Sequence, residues 1–323
     1  MRARIGIVIV CSVTVRYALL HEIPGQSRAR LRLHGPDTRR FLQGTLTADV
    51  EGLKEGQAVP GALCTVKGKL VTEVVLLAGA SEEEVFVLVP EALGDDIAQH
   101  FDKHIIMDEV EVESQGTVGV AVAWSTDGDE APAIEGQAGY VARHPAPGRL
   151  LVGEAAALSE ALAGAENAGV DGWNAHRVAT ASPAWGHEIE ADFFPPEIGF
   201  VHAVSYDKGC FLGQEPLARI HARGQVNRVM VRVRAASAPA EAVELGTEDK
   251  PRSGRWTTWA SVGDQVEGLA IVRRAVAEAG TKLVSAGEAP IEVEVISGPL
   301  GDDPGVGNRK RGGSAVVKLG GRR

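Results

Sequence analysis

The 323-residue sequence predicts an α+β fold that ends in a small all-β domain. Three observations point there. Strand-like and helix-like stretches are mixed without a regular βα alternation, which argues against a doubly wound parallel sheet. Glycine is frequent (39 residues) and aromatics make up only 5%, so the cores must be built from Val, Leu, Ala and Ile with many turns between short elements. Beyond Asn227 the helical patterns stop, and short β-branched runs separated by turn signals follow one another.

Taken in order, the first 16 residues place Arg2 and Arg4 before the apolar run "IGIVIVCSV", as a signal peptide would. No small-x-small cleavage pattern follows, the run is too short to span a bilayer, and Val10 before Cys11 argues against a lipid-modified cysteine. Residues 1–16 are therefore expected to be an upstream extension or an extra strand. In "RARLRLH", Ala29, Leu31 and Leu33 alternate with Arg28, Arg30 and Arg32, the period of a half-buried strand. "GPDTRRFLQGTLTADV" then offers a Gly-Pro turn, Asp37 as a helix N-cap, and Phe41, Leu42 and Leu46 at helical spacing.

"KGKLVTEVVLLAG" and "EEEVFVLVP" predict a hairpin with its polar turn at Ala80–Glu83, and a helix over 91–104 follows. "VEVES", "TVGVAVAW", "GYVAR" and "RLLVGE" supply further strands; "AAALSEALAGA" and "GVDGWNAHRVAT" supply helices. "RVMVRVRAA", "GRWTTWASV", "EGLAIVRR" and "APIEVEVIS" make the terminal barrel or sandwich, with one helical turn near Ala275. The expected organisation is an extension over 1–16, an α+β region of two subdomains over 17–227, a β-barrel over 228–299, and a basic solvated tail over 300–323.

Net charge is −10, although six basic residues and no acid lie beyond Gly305, so the body is more acidic than the whole. Such a body repels polyphosphate at long range, and nucleic acid would need a local basic groove or the tail. Cysteines at 11, 64 and 210 fit neither a disulfide framework nor a CxxC metal site, which points to a reducing, cytoplasmic setting. Nothing in the pattern asks for a membrane or a coiled coil, so a monomer is expected.

The stretch richest in chemistry is "KGCFLGQEPLARIHARG", residues 208–224. Pro216 in a first turn, Glu215 at the positive end of the dipole and Gly224 as C-terminal cap predict a short helix. Arg219 and Arg223 then share a face, and two guanidinium forks there suit a carboxylate or phosphate. Cys210, two residues after Lys208, is either a thiol activated by that electropositive field or a small buried side chain; the residues leave both readings open.

The run from Lys208 to Glu215, followed by Arg219, Gly224 and Arg228, resembles the signature of the YgfZ-type folate-binding proteins, relatives of the glycine-cleavage T-protein (an aminomethyltransferase). "FLQGTLTADV", "FFPPEIGF" and "SGRWTTWASVGDQVEGLAIVRR" are similar to that family as well, so the resemblance covers roughly residues 18–295. It implies a T-protein-like arrangement of small mixed domains around a channel for tetrahydrofolate or a derivative. Glu197 would receive the pterin edge, since a carboxylate accepts from the pterin's amino and ring N–H groups. Lys208, Gln214, Glu215, Arg219, Arg228 and Glu73 complete the implied folate-binding set.

The sequence also departs from the T-protein pattern. Thr72 and Glu73 stand where T-proteins have an aspartate, and a glutamate reaches one methylene further. In "RVATASPAWGHEI", Ala179 and Ala181 replace an acid and a glycine, which either loosens folate binding or is compensated by Glu188. Because T-proteins proper lack a cysteine at position 210, the resemblance is to the branch that supports assembly or repair of iron–sulfur enzymes, including tRNA-thiolating ones. Its clients would be iron–sulfur proteins, with tRNA an indirect partner, and three scattered cysteines cannot hold a cluster in the chain itself. The alternative expectation is a folate-dependent aminomethyltransferase or demethylase.

Overall fold

The computed structural model describes residues 14–126, 139–223 and 226–300. The expected extension up to Val13, Cys11 with it, the tail from Gly301 and the Gly224 cap lie outside these residues. Among the described residues fifteen strands and five α-helices follow in chain order. The first part of the chain holds β1 (Val15–Leu19), β2 (Arg28–His34), α1 (Thr38–Thr45), β3 (Gln57–Cys64), β4 (Leu70–Ala78), β5 (Glu84–Pro90), α2 (Gly94–His104) and β6 (Glu111–Ser125). Then come β7 (Tyr140–Ala142), β8 (Gly148–Gly153), α3 (Ala155–Ala161), β9 (Glu166–Asn167), α4 (Gly169–Thr180) and α5 (Gln214–Arg223). The chain closes with β10 (Arg228–Ala235), β11 (Val243–Gly246), β12 (Gly254–Val262), β13 (Gln265–Arg273), β14 (Lys282–Ser285) and β15 (Glu292–Ser297).

The architecture is α+β: a nine-stranded mixed sheet in the order β2-β5-β4-β3-β7-β8-β6-β1-β9, and a closed barrel β10-β13-β12-β11-β14-β15. β2 also pairs with β6, so the sheet curls back on itself. Both of its faces are covered. In β4, Val74 and Leu76 enter one core with Leu31, Phe41 and Phe101, while Val75 and Leu77 enter the opposite core with Leu20, Val122 and Trp173. Two covered faces explain why β4 and β5 read as nearly continuous apolar runs rather than strict alternations.

They also explain a failed expectation. Ala29, Leu31 and Leu33 point inward as the alternation predicts, but Arg28 is buried too, because its face of the sheet is not solvated. "VEVES" and "TVGVAVAW" form one 15-residue strand whose register shifts opposite Ala29–Leu31, where Gly116 takes a positive φ. Asp37 occupies the N-cap position of α1 without capping it; its Oδ2 accepts the Glu109 N–H at 2.9 Å and so ties β6's approach to the helix. Among the described residues no helix is long and apolar enough to cross a membrane.

The barrel is filled by Val229, Val231, Val233, Trp256, Val272, Val293 and Val295. On its outer wall Met230, Ala260 and Leu269 pack against Val178 of α4. A buried polar tie joins the same elements. Arg177 of α4 pairs with Glu188, whose Oε1 accepts from the hydroxyls of Thr257 and Thr258 on β12 at 2.6 Å each.

Candidate functional site

The motif "KGCFLGQE" acts first as a clasp. Lys208 Nζ donates to the Leu46 and Ala48 carbonyls just after α1, and burial lowers its pKa to about 8 against the pull of Asp49 and Glu51. Phe211 enters a core cluster with Cys64, Leu70, Ile198 and Phe200. The Leu212 N–H reaches the Gly44 carbonyl at 3.0 Å. Gly213, at φ +80°, presses on the 65–68 turn: a Cβ there would lie 2.5 Å from the Thr65 oxygen. Only glycine accepts both that dihedral and that approach. Between these anchors Cys210 is exposed, so the buried reading of its thiol is overturned. Of the two described cysteines Cys64 is the buried one, and burial pushes its thiol up to about 12.

α5 starts at Gln214, which is half-buried, and carries an exposed i,i+4 ion pair between Glu215 and Arg219. Arg219 thus already has a carboxylate, supplied by its own helix.

Glu197 lies in the 3-10 turn Pro195–Ile198 and is 6% exposed. Its Oε2 accepts the Phe194 N–H at 3.0 Å and stands 3.7 Å from Lys69 Nζ. Among the described residues no donor reaches its second oxygen. The segment is held against the start of β4 by backbone bonds, Leu70 N–H to Phe193 at 2.8 Å and Asp192 N–H to Leu70 at 3.3 Å. That pairing sets Lys69 3.6 Å over the Phe194 ring. On the other side Arg228, the first residue of β10, lies 5.3 Å from the Phe193 ring centre. Phe193 and Arg228 share the wall of a cleft of about 260 Å³ with Arg252 and Arg255. An open carboxylate oxygen, two aromatic rings and a row of guanidinium groups therefore run from the turn to the barrel's mouth.

Over 225 residues the chain is 26% identical to the tRNA-modifying protein YgfZ of Vibrio vulnificus, covering 65% of this chain and 68% of that protein. The chain is similar in sequence to the YgfZ proteins. It is also 28% identical over 233 residues to an aminomethyltransferase of Herpetosiphon aurantiacus, covering 62% of this chain and 63% of that one. The crystal structure of glycine cleavage system aminomethyltransferase T from Bartonella henselae matches with a TM-score of 0.70 over 89% of this chain and 86% of that one. At 18% identity that likeness shows the T-protein fold. No family model matches the chain.

Within this YgfZ-like chain, Glu73 connects to the Glu197 turn through His144, whose ring centre lies 4.6 Å from that of Phe200. Glu73 is 2% exposed, 2.7 Å from Arg28 Nη2, and in contact with His144 Nε2. Burial alone would raise its pKa, but Arg28 and His144 outweigh it and hold the carboxyl at about 2. Glu73 is therefore a buried structural anion. Glu188 supplies the carboxylate for Arg177 that Ala179 cannot, and Ala181 adopts the left-handed conformation (φ 54°, ψ 43°) that the replaced glycine would take freely.

Sequence reasoning missed Lys69, His144 and Arg28. Lys69 sits in the hairpin run "KGKLVTE" and its adjacency to the Phe193 segment depends on a pairing across more than 120 residues. His144 has no local signal at all; its partner Glu73 lies 71 residues away.

Proposed function

We propose that this chain binds a reduced folate, tetrahydrofolate or a derivative, between the Glu197 turn and the barrel's mouth, and serves as an accessory factor for iron–sulfur enzymes, including those that thiolate tRNA. The observation that carries the folate reading is the Glu197 carboxylate, nine-tenths buried yet with one oxygen unengaged. That oxygen is open to solvent rather than sealed in the core, so it can accept from a ligand, and a pterin edge offers donors for it. Phe193 and Phe194 provide aromatic surface beside it, and Arg228 suits the carboxylate of a folate's glutamyl end. When bound, tetrahydrofolate supplies one-carbon chemistry; the chain's own residues bind and orient it.

The accessory role is supported by the similarity to YgfZ and by the exposed thiol of Cys210 on an otherwise anchored motif. It is supported also by Glu73, which is held by Arg28 and His144 and has no carboxylate oxygen to lend to an aminomethyl group. Iron–sulfur proteins would be the clients of a monomer, with tRNA affected through them.

Calorimetric titration with tetrahydrofolate tests the binding half. Replacing Glu197 by Gln removes a charged acceptor, and affinity should fall by roughly ten- to a hundredfold, the worth of a hydrogen bond to a charged group. Cys210→Ala should bind folate as the wild type does while failing to support a thiolating iron–sulfur enzyme in cells. Absence of folate binding by the wild type would sink the reading, and turnover of an aminomethyl donor would replace it with the transferase alternative.

A further inference from the structure

Among the described lysines only Lys69 and Lys208 are partly buried, and the others are exposed. Lys208 directs its ammonium to two carbonyl oxygens, those of Leu46 and Ala48. Lys69 Nζ makes no hydrogen bond among the described residues: it lies 3.6 Å over the Phe194 ring and 3.7 Å from Glu197 Oε2. A lysine ammonium carries three donors and no acceptor, so Lys69 has donors to give.

The backbone under that ammonium is held on both sides. The Lys69 N–H donates to Thr65 Oγ1 at 3.3 Å and the Lys69 carbonyl accepts from the Thr65 N–H at 2.8 Å, which closes the 65–69 turn. From one side α5 and the residue before it press on the turn: a Cβ on Gly68 would lie 2.8 Å from Pro216 Cγ and 3.1 Å from the Gly213 oxygen. From the other side Leu70 is bonded to Phe193. Through Gly213 the "KGCFLGQE" motif thus fixes the turn that carries Lys69 beside Glu197.

A carboxylate acceptor with an ammonium donor at its side is the complement of a lactam edge, in which an N–H donor adjoins a C=O acceptor. We propose that Lys69 is a specificity-determining residue that donates to the 4-oxo oxygen of the pterin, so that the site selects 2-amino-4-oxopyrimidine rings. The proposal rests on the folate reading above and adds the lysine to it. Lys69 stands on the Oε2 side of Glu197, and the 4-oxo oxygen adjoins the ring N–H. The ring N–H is therefore set toward Oε2, which has a second lone pair beside the one that accepts from Phe194, and the 2-amino group toward the open Oε1. A 4-amino ring would turn a donor toward the ammonium, and the two would repel.

Guanine presents the same edge, so the test is calorimetric titration of the full chain with tetrahydrofolate and, separately, with guanosine monophosphate. Lys69→Met keeps an unbranched stem over Phe194 and removes the donor; tetrahydrofolate should bind about ten- to a hundredfold more weakly, the worth of a hydrogen bond to a charged group. Lys69→Arg should recover part of that loss. Infrared difference spectra with an isotopic label on the 4-oxo oxygen separate direct contact from an effect through Glu197 or Phe194. The carbonyl stretch of bound tetrahydrofolate should lie at higher frequency in Lys69→Met than in the wild type. Wild-type affinity in Lys69→Met, or a weakened complex whose carbonyl stretch stays where it was, would overturn the proposal while leaving folate binding in place. If tetrahydrofolate fails to bind the wild type and guanosine monophosphate binds in a manner lost with Lys69→Met, the lactam edge stands and the folate reading falls. If neither ligand binds, both fall.

Discussion

Two acids nine residues apart, Glu188 at the junction of α4 with the barrel and Glu197 in the turn before Phe200, are both buried, yet their surroundings differ. Glu188 accepts from Thr257, Thr258, the Ala184 N–H and Arg177, which fills the capacity of a carboxylate. Glu197 accepts one backbone N–H and has a lysine at 3.7 Å. Glu73, between Arg28 and His144, belongs with Glu188. Burial does not distinguish a ligand site from a structural anion; a partner at each oxygen, by hydrogen bond or ion pair, marks the structural ones, and Glu197 has partners at one oxygen alone among the described residues. The structural anions hold the sheet region and the barrel together, and the turn with Glu197 keeps an acceptor for something else.

The strongest way to break that comparison is Glu188→Ala. It leaves Arg177, fully buried, with Glu73 as a more distant counter-charge and no ion-pair partner among the described residues, and loss of one partner of such a pair costs about 3–5 kcal/mol. Urea unfolding should show a fall of that size, whereas Glu197→Ala should lose far less stability because it releases only one hydrogen bond. If the two variants were equally unstable, the division between them would be wrong. Replacing Arg177 and Glu188 together by Met and Leu should recover part of the loss, since the desolvated charge goes with its partner.

Glu73 gives the next largest effect, and it is read in acid. Its pKa is about 2 in the folded chain against an ordinary value of 4.5. A depressed carboxylate contributes stability that is fully present above pH 4.5 and is lost as the pH falls toward 2. The shift corresponds to roughly 3 kcal/mol over that window. Glu73→Gln should be less stable at neutral pH, with Arg28 unpaired, and should have a flatter stability profile between pH 4.5 and 2. A profile as steep as the wild type's would mean that other carboxylates carry the acid sensitivity.

Much of the fold is legible in the sequence because it is local. Alternation in "RARLRLH", turn signals, and the valine-rich runs of β10, β13 and β15 all mark elements by near neighbours. β11 and β14, four residues each, escape because "VELG" and "KLVS" are too short to show a period and are strands only by pairing with each other and with their neighbours. The site divides the same way. Glu197 and Cys210 are visible through motifs, but which acid is free and which is engaged depends on partners far off in the chain: Arg28 and His144 for Glu73, Thr257 and Thr258 for Glu188. Lys208, which the family resemblance placed in the folate-binding set, fastens a loop, since its ammonium meets two carbonyl oxygens.

The smallest effect sharpens the comparison from the structural side. Ala181 ends α4 in the left-handed region, a conformation that costs an L-residue about 1–2 kcal/mol and glycine almost nothing. The substitution Ala181→Gly also gives the unfolded chain more freedom, worth about 0.4–1 kcal/mol in the opposite sense, and removes a methyl group packed near Val178 and Met230. The net expectation is a gain of about 0.5–1 kcal/mol in urea unfolding, with an unchanged slope, as follows from relief of left-handed strain. Because Ala181 caps the helix that carries Arg177 and belongs neither to the Glu197 turn nor to the cleft of Phe193 and Arg228, folate affinity should stay at its wild-type value. A gain in stability accompanied by a change in affinity would show that the α4–barrel junction reaches the ligand after all, and the two regions would have to be treated as one.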